Sequence, residues 1–238
     1  MTMISNKNTT LILGSGLLCD SEIWAYLTEQ LSDIAQIRLA ETQQDDNLSA
    51  MAKRLLNSAP PRFAYAGFSM GGYLGFELLR QAPHRIDKLA LLSTTAQPDT
   101  AEHIQLREMF IELTQQNNFE QAVNRNLTLF LTPPFNNDPQ LRNTLQSMAK
   151  RIGPQAYIRQ LNLIINRPDS RPLLRDIKIP TSIICGREDQ LTPITKHQEI
   201  AMQITHAQLH VINNARHFII LEQPQVVADI LRNWMTNF

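Results

Sequence analysis

The residues with the clearest capacity for chemistry lie in Gly67-Phe68-Ser69-Met70-Gly71. This segment follows the apolar run Arg62-Phe63-Ala64-Tyr65-Ala66 and leads into a helical stretch, Met70 to Gln81. A serine in a G-x-S-x-G turn between strand and helix holds a strained backbone, which projects its hydroxyl away from the sheet. Side chains two residues before and after it would strike the neighbouring strand and helix, so both sites want glycine. The helix start behind the serine favours the negative charge that develops in acyl transfer. The bland alternative is a glycine-rich turn with a surface serine. Gly72 and Gly75 suit helix-to-sheet packing rather than chemistry.

A serine hydroxyl is a weak nucleophile. It needs a base, and the base needs an orienting carboxylate. Ile183-Ile184-Cys185-Gly186-Arg187-Glu188-Asp189-Gln190-Leu191-Thr192-Pro193 offers the acid in a loop after a strong strand. Asp189 is the expected group, Glu188 its local rival, and a turn cap the structural alternative for Asp189. Val211-Ile212-Asn213-Asn214-Ala215-Arg216-His217-Phe218 offers the base as His217, before the final helix. The other histidines fit less well: His84 lies in a turn at the opposite edge, His103 in a helical stretch, His197 on a helix face, and His206 and His210 around the last strand. Gly14-Ser15-Gly16-Leu17-Leu18 follows the first strand, and the backbone N–H groups of Leu17 and Met70 are the expected oxyanion donors. A dinucleotide G-x-G-x-x-G reading of that loop fails at Cys19. Leu18, Phe130 and Phe218 are assigned to substrate binding.

Positioning these groups requires strands that alternate with helices. Thr10 to Leu13, Ile34 to Leu39, Arg62 to Ala66, Lys88 to Leu92, Ile179 to Cys185 and Gln208 to Ile212 read as six strands. Ser21 to Leu31, Leu48 to Leu56, Met70 to Gln81 and Pro224 to Met235 read as helices between and after them, with Asp20 or Ser21 capping the first. The expected fold class is α/β, a mostly parallel sheet of about six strands with helices on both faces. The alternation breaks between about Pro98 and Pro172. That stretch is helical by composition, punctuated by Thr132-Pro133-Pro134 and Gly153-Pro154. The expected organisation is a core of residues 1–97 and 173–238 with a helical cap insertion at 98–172. Leu127, Leu129, Phe130 and Leu131 suggest an apolar wall there.

Composition narrows the function classes. The chain has 238 residues, with 22 Lys plus Arg against 22 Asp plus Glu, so its formal net charge is zero. That balance offers no footprint for nucleic acid or an acidic membrane surface. No apolar run reaches the ~18 residues of a membrane span. Cys19 and Cys185 match no metal spacing, and no histidine and carboxylate cluster has ligand spacing, so no metal is expected. The N-terminal residues are polar, without a signal-peptide stretch, and a reducing cytoplasm is the expected location.

Gly16-Leu17-Leu18-Cys19-Asp20 with Trp24, Gly67 to Tyr73, Leu91-Leu92-Ser93-Thr94, Gly186-Arg187-Glu188-Asp189 and His217 together resemble bacterial α/β-hydrolase esterases of the small carboxylesterase type. The resemblance covers nearly the whole chain and is strongest at the three loops. It implies an α/β-hydrolase fold, a cofactor-free serine hydrolase and a helical cap over the site. Arg216 departs from the pattern, standing where glycine is common. The expected reaction is cleavage of a small-molecule carboxylic ester, short or medium in its acyl part. A carrier-protein methyl ester esterase, a lactonase, a lyase and a non-catalytic binding protein remain alternatives. An acyl carrier protein stays open as a partner through Arg142, Lys150, Arg151 and Arg159, which otherwise form a solvated helix face.

Overall fold

Apolar runs short enough for strands, each followed by a helix-period segment, fold into a parallel sheet because only crossover helices can return the chain to the same sheet end. A computed structural model describes residues 9–131 and 138–237. The break expected at Thr132-Pro133-Pro134 lies outside them. The strands are β1 Thr10–Gly14, β2 Gln36–Leu39, β3 Phe63–Phe68, β4 Ile86–Leu92, β5 Thr181–Gly186 and β6 Gln208–Ile212. They form one sheet in the order β2-β1-β3-β4-β5-β6, and every pair is parallel.

The helices are α1 Ala25–Leu31, α2 Leu48–Ser58, α3 Met70–Gln81, α4 Ala101–Gln115, α5 Phe119–Phe130, α6 Pro139–Ile165, α7 Ile194–Gln203, α8 Ile219–Glu222 and α9 Pro224–Asn237. α1 packs on α9, and α2 packs on α3. The chain runs outward from β1 to β2, then returns past β1 to β3. Right-handed crossovers in opposite directions put α1 and α2 on opposite faces, so both faces are covered. β1, β3 and β5 are buried along their whole length, and β2 at the edge is largely exposed. A strand buried on both faces reads as a continuous apolar run, which is why these were legible. α4, α5 and α6 pack on one another between β4 and β5. Among the described residues no helix is long and apolar enough to cross a membrane.

Most boundaries shift by one or two residues from expectation, and two shifts have a plain local cause. β2 begins at Gln36, because Ile34 and Ala35 donate their N–H groups to Leu31 O and so belong to the turn closing α1. The helix expected over Ser21 to Leu31 is a 3-10 turn at Ser21–Trp24 followed by α1, with Asp20 capping it through Glu22 N–H at 2.9 Å.

Candidate active site

The strand order reverses between β1 and β3, and a parallel sheet opens a crevice beyond the carboxyl ends of its strands at such a reversal. The loop after β1 and the turn after β3 meet there. Ser69 sits at the head of α3 with φ 52 and ψ −111, a left-handed conformation costly for a side-chain-bearing residue. The neighbouring glycines are required by contact. A Cβ on Gly71 would lie 2.0 Å from the Gly14 carbonyl oxygen, and one on Gly67 would lie 2.3 Å from that of Gly71. Thr94, just past β4, supports the turn from below, donating its hydroxyl to Ser69 O at 2.8 Å.

The loops after β5 and β6 bring the other two groups in. A Cβ on Gly186 would lie 2.2 Å from the Arg216 carbonyl oxygen, so the two loops pack backbone to backbone. His217 is 2% exposed. Its Nε2 lies 3.0 Å from Ser69 Oγ and its Nδ1 lies 2.9 Å from Asp189 Oδ2. Asp189 as a carboxylate can only accept, so it holds the imidazole proton on Nδ1 and leaves Nε2 to accept from the serine hydroxyl.

Asp189 also serves as a turn cap. Its Oδ1 accepts the N–H groups of Leu191 and Thr192 at 2.9 Å each, and its Oδ2 accepts the Thr192 hydroxyl at 2.6 Å. Burial alone would raise its pKa, but His217 and Thr192 outweigh that and hold the carboxyl below the usual range. Glu188, the rival, is exposed and spends its carboxylate on the Ala215 N–H at 3.0 Å.

The loop after β1 comes close to the serine. A Cβ on Gly16 would lie 3.4 Å from Ser69 Cβ, and Leu17 lines the same cavity as Ser69. Leu18 has φ 59 and donates its N–H to Gln160 Oε1 at 3.0 Å. Gln160 is fully buried in α6, and its Nε2 also donates to Thr42 O at 3.1 Å. Sequence reading missed this glutamine, whose signal was only a polar residue on the apolar face of a helix.

Of the three residues assigned to substrate, Phe130 lines the cavity, and its ring stacks on His217 at 5.4 Å. Phe218 lies behind it, buried against Phe68 and Phe130. Leu18 is buried. Neither of these two lines that cavity. In the expected apolar wall Leu129 joins Phe130, whereas Leu127 and Leu131 are core. Arg216 is 4% exposed, and its N–H donates to Glu222 Oε2 at 2.7 Å. His197, read as a helix face, is fully buried.

A parallel six-stranded sheet with a strained serine at the turn after β3 defines the α/β-hydrolase architecture. The family model described as "alpha/beta hydrolase fold" matches residues 38–224, and the chain belongs to that family. The chain is 27% identical to 3-oxoadipate enol-lactonase 2 of Acinetobacter baylyi over 179 residues, which span 75% of this chain and 65% of that protein. It is 26% identical to the pimeloyl-[acyl-carrier protein] methyl ester esterase of Legionella pneumophila (strain Paris) over 234 residues, 93% of this chain and 92% of that protein. Among solved structures, the enol-lactonase from Burkholderia xenovorans LB400 superposes with a TM-score of 0.86 at 20% identity, covering 97% of this chain and 92% of that one. A thermophilic esterase from Thermogutta terrifontis gives 0.85 at 24% identity, covering 95% and 89%. These structural likenesses show the fold.

Proposed function

We propose that this chain is a serine hydrolase that cleaves carboxylic esters through an acyl-enzyme on Ser69. The observation that carries the reading is the relay from Ser69 Oγ through His217 to buried Asp189, at 3.0 and 2.9 Å. Ser69 attacks the ester carbonyl while His217 Nε2 takes its proton. The Leu17 and Met70 N–H groups receive the oxyanion. His217 then protonates the departing alcohol, and Asp189 stabilises the imidazolium. Water, deprotonated by His217, attacks the acyl-enzyme and releases the acid. No cofactor enters this cycle.

Residues 98–172 act as a cap over a core formed by 1–97 and 173–238 in this proposal. Leu106 and Phe110 from α4, Leu129 and Phe130 from α5 and Ile164 from α6 supply its apolar contribution to the pocket. A cytoplasmic setting suits the two cysteines, which are free and buried.

Replacing Ser69 with Ala abolishes turnover of a p-nitrophenyl ester in this account, with the circular-dichroism spectrum unchanged. Retained turnover removes the assignment.

A second reading, carrier-protein methyl ester esterase or lactonase with the same groups, is favoured by the activities of the relatives. Two of the four basic residues open to a carrier protein are already engaged within the chain. Arg151 pairs with Asp20 at 2.6 Å and with Glu22, and Arg159 Nε donates to Gln43 O at 2.8 Å. Product analysis on esters and lactones separates the two readings.

A further inference from the structure

The cavity that holds Ser69 has a strongly cationic far end. Arg107, Arg167 and Lys196 line it, with Asp99 as the carboxylate among its lining residues. The Asp99 side chain is 1% exposed and the Arg167 side chain 5%. Asp99 accepts from Arg107 Nε at 2.6 Å and pairs with Arg167 Nη1 at 2.7 Å. Arg167 Nε donates to Gln97 O at 3.0 Å, and Lys196 Nζ donates to Gln97 Oε1. His103, largely exposed, lies 4.0 Å from Asp99. Glu199 sits one layer out, where it accepts Gln97 Nε2 at 2.8 Å and faces Arg171 at 3.9 Å. Three cations against one carboxylate leave a net charge of about two positive at one end of a cavity with a nucleophile at the other.

The two ends are connected by α3. Tyr73 stands one turn, about 6 Å, along the helix from Ser69 and on the same face. It lines the cavity, and the Arg167 guanidinium lies 4.4 Å from its ring centroid. Excess positive charge in a secluded site is costly unless an anion meets it. Guanidinium groups held in fixed orientation match the two oxygens of a carboxylate.

From this we infer that the enzyme takes esters whose acyl part ends in a free carboxylate, with that carboxylate seated at Arg107, Arg167 and Lys196 while the ester reaches Ser69. The inference rests on the esterase reading above and names its substrate class. The reaction adds water to the half-ester. The acyl C–O bond breaks, the oxygen of water bonds to the acyl carbon, the alkoxide leaves with the proton from His217, and a dicarboxylate is released.

The test compares monomethyl succinate, glutarate and adipate with the corresponding dimethyl esters, in which the second carboxylate is masked. The best half-ester is expected to exceed its diester at least tenfold in kcat/KM. Arg107→Gln and Lys196→Gln should each cut that ratio severalfold or more. Equal or better turnover of the diester by the native enzyme overturns the inference, as does an unchanged ratio in both variants. A readout independent of catalysis is the thermal stability of Ser69→Ala. Glutarate or adipate should raise its Tm, and adding Arg107→Gln should remove the rise. Failure of all esters with the Tm rise intact counts against the esterase reading alone. Turnover of neutral esters with no selectivity and no Tm rise counts against the carboxylate site alone.

Discussion

His197 Nε2 accepts the backbone N–H of Thr94 at 3.0 Å, deep beneath the active-site turn. Thr94 passes the connection on, since its hydroxyl holds Ser69 O. The other ring nitrogen lies 3.3 Å from Pro193 O, in the segment that follows Asp189. A neutral imidazole thus ties the turn that carries Ser69 to the loop that carries Asp189. As a cation it could not accept the Thr94 N–H.

That tie has a pH signature. Burial pushes the His197 pKa down from 6.5 to about 4. The unfolded chain therefore binds a proton near pH 6.5 that the folded chain refuses until about pH 4. The neutral histidine's contribution is whole above pH 6.5 and is lost progressively as the pH falls to about 4. Between those limits the stability advantage of the native chain over His197→Gln should shrink by about 3 kcal/mol. Urea unfolding at pH 7.5 and pH 4 measures it, and a constant difference rejects the proposed coupling.

Asp189→Asn keeps a hydrogen-bonding side chain of the same shape but can offer its N–H₂ to Nδ1, which favours the wrong imidazole tautomer. A loss of kcat of about 10⁴-fold is expected, with KM little changed. Steady-state kinetics on a p-nitrophenyl ester checks it. Glu188→Gln, on the exposed neighbour, should lose less than tenfold. The reverse order would exchange their roles.

Gln160→Leu leaves the Leu18 N–H buried without its acceptor, which costs about 1–3 kcal/mol. The larger effect should fall on the loop that presents the Leu17 N–H. Weakening one oxyanion donor costs up to ~3 kcal/mol of transition-state stabilisation, seen in kcat rather than KM. A drop confined to KM would place Gln160 in substrate binding instead.

Two glycines separate two reasons for being glycine. Gly71→Ala drives a Cβ into the Gly14 backbone at 2.0 Å and should cost ~3 kcal/mol or more. Gly153 kinks α6 with φ 77 and has open space around it. Gly153→Ala therefore meets only backbone strain, about 1–3 kcal/mol. Thermal unfolding of the two variants should show that order.

Much of this was written in local pattern. Apolar runs marked β1, β3 and β5, and the G-x-S-x-G spacing located the strained serine, because sheet burial and turn sterics act on residues adjacent in sequence. Asp189 and His217 stood out as candidates because each follows a strand, and the structure brings both to Ser69. The less legible groups depend on contacts between distant segments. Gln160 meets Leu18 across 142 positions, and His197 meets Thr94 across 103. Nothing local distinguishes a buried Gln or His that binds a remote backbone from one on a solvated face. The Arg107–Asp99–Arg167 cluster is similar, since its members are charged residues that composition assigns to the surface. Phe130 lines the cavity with Ser69, whereas Leu18 and Phe218 do not, a difference set by how distant segments pack.

Ser69 is proposed to be an activated nucleophile. Treatment with a fluorophosphonate followed by intact-mass and peptide analysis tests it directly. One adduct per chain is expected, on the peptide containing Ser69, formed much more slowly in His217→Ala. No adduct, or an adduct on another serine, would contradict it.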